Sequence, residues 1–383
     1  MTRRRAILFL LACAAACAGR PRPGDAEPRC ALAEEGGAGA ITDALKDCCR
    51  INRGDRLDVL VLSGGGSHGA WGVGVMAGWR EAPRGPARPD FKIVTGVSTG
   101  ALMAPFLFVN DPAVEETLQE VYRTVRNRDV RKKRWTILVP FSNSFYTQSR
   151  LRRLLDRRVP DALIDRVRDH SDGGRRLLLV GTVDLDSGRT RVWNLSRIAA
   201  SPSPDRYRCF RDVIFASASM PVVAEPVFVD GAMHVDGGAR EQLFLRNVLE
   251  PVLEEAHDRE GRDAAHRPVV YALVNGHVDV VDAEETRNHV LPILARTIEV
   301  LLAENKVGNL LRVAATARDM GAEVRVSAVP PDEPLFDSYS FEPAAMAALM
   351  DKGRAFGRAN RWDETLARLA GEYGLASEKA LGR

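Results

Sequence analysis

The chain has 383 residues, 45% of them hydrophobic, and a formal net charge of +3. That length and apolar content supply one large core or two modest ones and exclude a disordered or collagen-like chain. So small a net charge gives no reason to expect a nucleic-acid partner, and any electrostatic binding must come from local patches.

Residues 1–17 read as an export signal. Arg3, Arg4 and Arg5 precede an apolar run from Ala6 to Ala16, which is too short to span a bilayer as a helix. The run ends in small residues around Cys13 and Cys17, either of which fits a lipoprotein-type cleavage and acylation site. Cys17 suits the length of the run better, and cleavage near Ala16 or Ala18 without a lipid is the alternative. The expected localisation is outside the cytoplasm of a bacterium, membrane-anchored or periplasmic or secreted. In such a compartment Cys30, Cys48, Cys49 and Cys209 can form disulfides, and a bridge from Cys30 to Cys48 or Cys49 is expected. The cysteines lack zinc-ligand spacing and no His-x-x-x-His pattern occurs, so no metal is expected.

Residues 18–50, rich in Gly, Pro and Ala at their start, read as a tether ahead of one folded domain over 51–362, with a helical extension over 363–383. Leu57–Leu62 is an apolar run stopping at glycines, as a buried parallel strand does, and Ala70–Trp79 follows as a small-residue helix. Phe91–Thr95 repeats the device and feeds an apolar helix, Thr99–Val109. Further strands are expected at Leu177–Val183, Thr190–Leu195, Val269–Val274 and Glu323–Val329. Helices are expected at Asp212–Ser219, Glu241–Ala256, Leu291–Asp319, Pro343–Arg358 and Trp362–Tyr373. Strands alternating with helices predict an α/β domain with a mainly parallel sheet covered on both faces.

Three constellations carry chemistry. Gly96-Val97-Ser98-Thr99-Gly100 is a Gly-x-Ser-x-Gly motif between a strand and a helix, where the serine sits on a strained turn and the glycines let both arms of the chain pass closely. The helix start offers amides and a partial positive charge to an oxyanion beside Ser98. The second constellation, Gly64-Gly65-Gly66-Ser67-His68-Gly69, also lies at a strand exit, and its consecutive amides suit an oxyanion hole formed by Gly64, Gly65, Gly66 and Ser67. Its Gly64-x-Gly66-x-x-Gly69 spacing also satisfies a dinucleotide fingerprint, but the next strand lacks the acidic residue which that reading needs at its end, and no cofactor is expected. The third is Asp236-Gly237-Gly238. A carboxylate held in a low-dielectric turn can accept the serine proton. Asp230-Gly231 has nearly the same shape but reads as the turn of a hairpin, so Asp236 is preferred.

In this order the three motifs resemble the patatin-like phospholipases, from about Leu57 to about Arg361. The similarity includes the Ala-Ser-x-x-x-Pro stretch before the aspartate and the late segment from Phe336-Asp337 to the helix ending near Phe356. The resemblance implies a three-layer α/β/α fold and a Ser-Asp dyad acting through an acyl-enzyme on glycerolipid or other fatty-acyl esters. By position it makes Ser98 the nucleophile, Asp236 the base and the glycine loop the oxyanion hole. One departure is His68, where the family commonly has Arg. A Ser-His-Asp triad remains the alternative, with His277 its best candidate among His257, His266, His277 and His289. Other readings left open are an exported binding or assembly protein on the same scaffold and a dinucleotide-dependent oxidoreductase.

From Arg123 to Arg158 the chain carries twelve Lys or Arg against two acids, Asp129 and Asp156, interleaved with Trp135, Ile137, Leu138, Val139, Phe141, Phe145 and Tyr146. The combination suits a membrane surface with anionic headgroups, and equally a solvated helix face beside a buried loop. The stretch falls where an active-site lid could be inserted.

Overall fold

The computed structural model describes residues 30, 38–51, 56–133, 144–243, 268–278, 286, 288, 290–319 and 321–362. The expected signal, most of the helix Glu241–Ala256, all but the first residue of Trp362–Tyr373, His257, His266, His289 and the aromatic run at 135–141 lie outside the described residues.

Eight strands form one mixed, mainly parallel sheet: β1 Asp58–Leu62, β2 Ile93–Gly96, β3 Leu177–Asp184, β4 Arg189–Asn194, β5 Val227–Val229, β6 Ala232–Asp236, β7 Val269–Leu273 and β8 Glu323–Ser327. The parallel part runs in the order β8, β7, β1, β2, β3. The strands β4, β5 and β6 add antiparallel pairs beyond it. The helices used below are α1 Ala38–Ile51, α2 Gly69–Arg80, α3 Thr99–Val109, α4 Pro112–Thr124, α5 Ser149–Arg158, α6 Asp161–His170, α7 Arg206–Ser217, α8 Val290–Asp319 and α9 Pro343–Arg358. The fold is the α/β arrangement expected, with helices on both faces.

Strand alternation divides the core. Val59, Val61, Ile93, Leu177, Val270 and Ala272 point to a cluster completed by Ile41 and Leu45 of α1 and by Val307, Leu310 and Val313 of α8. Leu60, Leu62, Val94, Leu178, Tyr271 and Leu273 point the other way, to a larger cluster formed with α2, α3, α4, α5, α6, α7 and α9. Both faces of each central strand are buried, which is why these strands read as unbroken apolar runs. Within the larger layer α2 and α9 cross with their backbones nearly touching. A Cβ on Gly74 would lie 2.0 Å from Met350 O, and one on Gly357 2.1 Å from Val75 O.

The connections reveal a topological switch. From β1 through α2 to β2 the chain moves one way along the sheet, and from β7 through α8 to β8 it moves the other way, so right-handed crossovers place α2 and α8 on opposite faces. Between β1 and β7 the sheet therefore leaves a crevice at its C-terminal edge, the place where open α/β sheets bind ligands.

Two expectations are corrected. The stretch read as a tether is helical over Ala38–Ile51, because Ile41, Leu45 and Cys48 fall at i, i+4 and i+7 and are buried against the sheet. The disulfide joins Cys30 to Cys209, 179 residues apart with Cα atoms 5.4 Å apart, rather than to Cys48 or Cys49. Cys48 lies in the α1 layer, where its Sγ donates to Arg175 O at 3.2 Å, whereas Cys30 and Cys209 belong to the opposite layer. The sheet stands between them. Non-reducing peptide mapping is expected to recover the Cys30–Cys209 peptide, and Cys30→Ala to lower stability by about 2–4 kcal/mol in chemical denaturation. A peptide joining Cys30 to Cys48 would overturn this pairing.

Candidate active site

The sheet brings two distant segments to one point. Along one edge of β3, β4 pairs from Leu179 to Asp184; the other edge is shared by β2 at Leu177–Val180 and by β6, which arrives antiparallel from Thr182 on. Because Gly96 pairs with Val180 and Asp236 with Thr182, the last residue of β6 meets the exit of β2. Gly237 closes the join: a Cβ there would lie 2.5 Å from Gly181 O and 3.2 Å from Val97 Cγ1.

Ser98 follows that exit with φ 55° and ψ −123°, a conformation that costs a non-glycine residue roughly 1–3 kcal/mol and persists only when the surroundings impose it. Its amide donates to Ser217 Oγ at 3.0 Å, and the Ser217 hydroxyl donates to Gly181 O at 2.7 Å, pinning the turn to β3. The flanking glycines are required by close approach, since a Cβ on Gly100 would lie 2.4 Å from Leu62 O and one on Gly96 2.6 Å from Gly100 O.

Asp236 is 4% exposed. Burial pushes its carboxyl up to about 7, against the lowering effect of hydrogen bonds from the Ser98 hydroxyl and the Gly238 amide, the latter at 2.7 Å. A carboxylate so placed is a proton acceptor matched to neutral pH. Asp230, the similar aspartate, sits at the tip of the β5–β6 hairpin with φ 52° beside Gly231 at φ 77°, and its Oδ1 accepts the Cys30 amide at 2.6 Å. It does not line the cavity described below.

The glycine loop leaves β1 beside Ser98. A Cβ on Gly64 would lie 3.1 Å from Ser98 Cβ. Among the described residues no protein acceptor takes the amides of Gly64, Gly65 or Gly66. The expectation for Ser67 is corrected, because its amide and its hydroxyl both donate to Ser338 O, each at 2.9 Å, and it does not line the cavity. Its neighbour His68 pairs Nε2 with Phe336 O at 2.5 Å, and burial lowers its pKa to about 4, so the ring is neutral at neutral pH.

Among the described residues no histidine pairs with Ser98. His277 Nε2 is 2.9 Å from Glu333 O. His234 Nδ1 lies 3.0 Å from Thr182 Oγ1, behind the strand. Three contributors had escaped the sequence reading. Ser217 lies in the Ala-Ser-x-x-x-Pro stretch and braces the elbow. Asn275, at the exit of β7, donates its side-chain amide to Ser63 O at 2.9 Å. Gln242 is buried against Gly64 with its Oε1 unpartnered.

Ser98, Asp236, the glycine loop, Gln242 and Asn275 floor a cavity of about 1260 Å³ walled by Leu102, Phe106, Leu118, Leu151, Leu155 and Phe336. The apolar walls and floor of polar groups suit a long acyl chain with a reactive ester at its end. Among the described residues no group of three or more His, Cys, Asp or Glu converges as metal ligands would, and no described helix is long and apolar enough to cross a membrane.

The sequence profile of the patatin-like phospholipases matches residues 60–249, from β1 through the glycine loop and Ser98 to beyond Asp236. No curated protein matches the chain. Among solved structures it is similar to the crystal structure of VipD from Legionella pneumophila, at 11% identity and a TM-score of 0.33, over 80% of this chain and 67% of that one, a likeness too loose to carry argument. The mixed α/β sheet, the elbow and glycine loop at its edge, and the profile that spans them place the chain in the patatin-like phospholipase family.

Proposed function

We propose that the protein hydrolyses fatty-acyl esters of lipids through an acyl-enzyme on Ser98, with Asp236 as the base. The observation that carries this reading is the hydrogen bond from the Ser98 hydroxyl to the buried Asp236, whose pKa burial raises to about 7, at the bottom of an apolar cavity. The family supplies the coarser inference of a lipid acyl hydrolase.

In the first half-reaction Asp236 takes the Ser98 proton as Oγ attacks the ester carbonyl. The carbonyl oxygen becomes an oxyanion, for which the free amides of Gly64, Gly65 and Gly66 and the first amide of α3, at Thr99, are the available donors. Collapse breaks the bond to the alcohol, which leaves with the proton from Asp236. Water then repeats the sequence on the acyl-enzyme, giving its proton to Asp236, and Ser98 recovers its proton as the fatty acid departs. No imidazole is needed, because burial has already raised the carboxylate pKa to the range a histidine would provide. An exported, lipid-anchored form would meet such substrates at a membrane surface, with the basic segment around Arg131 and Tyr146 at the cavity wall.

With a chromogenic fatty-acyl ester series, Ser98→Ala and Asp236→Asn are expected to lower kcat by about a thousandfold or more. His277→Ala is expected to retain most activity; a loss as large as that of Ser98→Ala would move the base to a histidine, and failure of a fluorophosphonate to label Ser98 would remove the acyl-enzyme. The base must be ionised, so kcat/KM should fall as pH drops through about 7.

The same carboxylate makes a stability prediction. The native state holds its proton up to about pH 7, whereas the unfolded chain releases it near the ordinary carboxyl value of 3.8. Raising the pH between those values therefore weakens the fold, and the loss is complete above about 7. Asp236→Asn should be more stable than wild type at pH 8, on the order of 2–4 kcal/mol, with a gain that shrinks towards pH 4. Thermal melts across that range check it, and a gain independent of pH would count against a buried, shifted carboxyl.

A further inference from the structure

Gln242 stands between the glycine loop and the turn that carries Asp236. It is 8% exposed and lines the active-site cavity. Its Nε2 donates to Gly238 O at 3.3 Å, which decides which way round the carboxamide lies, since the reverse would set two carbonyl oxygens against each other. Oε1 therefore faces Gly64, and it has no protein donor among the described residues. A buried carbonyl oxygen without a donor costs free energy that an apolar side chain of similar size avoids.

The separation of this oxygen from the nucleophile is bounded by one shared point. A Cβ on Gly64 would lie 2.6 Å from Gln242 Oε1 and 3.1 Å from Ser98 Cβ, so these two atoms are at most about two hydrogen-bond lengths apart, the span that a single water bridges. On the other side, a Cβ on Gly238 would lie 2.7 Å from Gln242 Nε2 and 3.0 Å from Asp236 Oδ1, which sets the same carboxamide beside the base.

We propose that Gln242 Oε1 positions the water that hydrolyses the acyl-enzyme. An acceptor oxygen serves only a reactant with a proton to offer, so it does nothing for the ester, the acyl group or the oxyanion. The alcohol leaving in the first half-reaction receives its one proton from Asp236. Water brings two: one passes to Asp236 as the water oxygen bonds to the acyl carbon, and the other stays on that oxygen, donated to Gln242 Oε1. Held by both protons, the water keeps a lone pair aimed at the carbonyl carbon. The intermediate then breaks its bond to Ser98 Oγ, which takes the proton back from Asp236, and the fatty acid departs with the hydroxyl that Gln242 held. The assignment rests on the acyl-enzyme reading above and adds a residue that serves its second half-reaction and not its first.

The test separates the two half-reactions in wild type and Gln242→Met with p-nitrophenyl decanoate. Acylation is read from the initial burst of p-nitrophenolate, and deacylation from the loss of acyl mass on the intact protein. For Gln242→Met the deacylation rate constant should fall about ten- to hundredfold while acylation stays within about twofold of wild type. In the steady state kcat and KM should then fall together, leaving kcat/KM unchanged, and the acyl-enzyme should accumulate. Gln242→Leu is the second apolar variant should the methionine form not fold. Equal slowing of both steps would make Gln242 a strut of the Ser98 and Asp236 geometry and overturn the assignment, as would unslowed deacylation in a folded variant. A wild type that forms no acyl-enzyme overturns the acyl-hydrolase reading and this assignment with it, whereas a wild type that forms one, beside a variant that deacylates normally, overturns the assignment alone.

Discussion

The structure depends on keeping one carboxylate dry. In water Asp236 would be a weak base, with a pKa far below the neutral pH at which the proposed mechanism has it accept a proton. Buried without compensation, it would hold its proton and accept nothing. The Ser98 hydroxyl and the Gly238 amide place it between these limits, at about 7. Each feature near it serves that balance: β6 enters antiparallel so that its last residue ends beneath the elbow, and Gly237 lets the β6 exit press against Gly181. A methyl group at Gly237 would force these backbones apart and let water in.

The strained serine needs equally firm support. Ser217 ties its amide to β3, and α2 begins immediately after the glycine loop. Ser67 takes a different part from the one its position in the loop suggested. By donating twice to Ser338 O, just ahead of α9, it clamps the loop to the segment leading into α9, the helix whose backbone α2 touches through Gly74 and Gly357. One amide is given up to fix the loop, and those of Gly64, Gly65 and Gly66 have no protein acceptor among the described residues. A preorganised donor set requires such an anchor, since amides that must reorient during reaction lose much of their stabilising effect.

What could be read from the sequence followed periodicity and short-range chemistry. Thr99–Val109 and Pro343–Arg358 match their expected bounds, and the central strands differ by one or two residues at their ends. The strand expected at Phe91–Thr95 starts at Ile93, because Phe91 fills the core against Trp79 and Tyr271. Ser98 and Asp236 could be singled out because each sits in a local motif. Ser67 misled because a backbone amide's partner, here a carbonyl some 270 residues on, leaves no local trace. Cys30 misled for a related reason: proximity along the chain favoured Cys48, but the strand alternation that puts α1 and α7 on opposite faces decides the pairing, and that is a property of the assembled sheet. Gln242 belongs to no motif and gains meaning only when the Asp236 turn closes on the glycine loop.

The basic stretch shows the same limit for charge. Along the chain it looks like a continuous positive segment, yet in the fold Arg123 meets Asp351 at 3.5 Å, Arg152 meets Asp212, and Arg158 meets Glu120 at 3.1 Å. The carboxylates come from α9, α7 and α4, so a count confined to residues 123–158 misses them. Paired charges on a folded surface produce much less field at a distance than the same residues counted singly. Attraction to a lipid surface would then come less from the number of arginines than from the few left unpaired. Surface charge can bring a membrane near, but only the groups lining the cavity beside Ser98 can distinguish one ester from another.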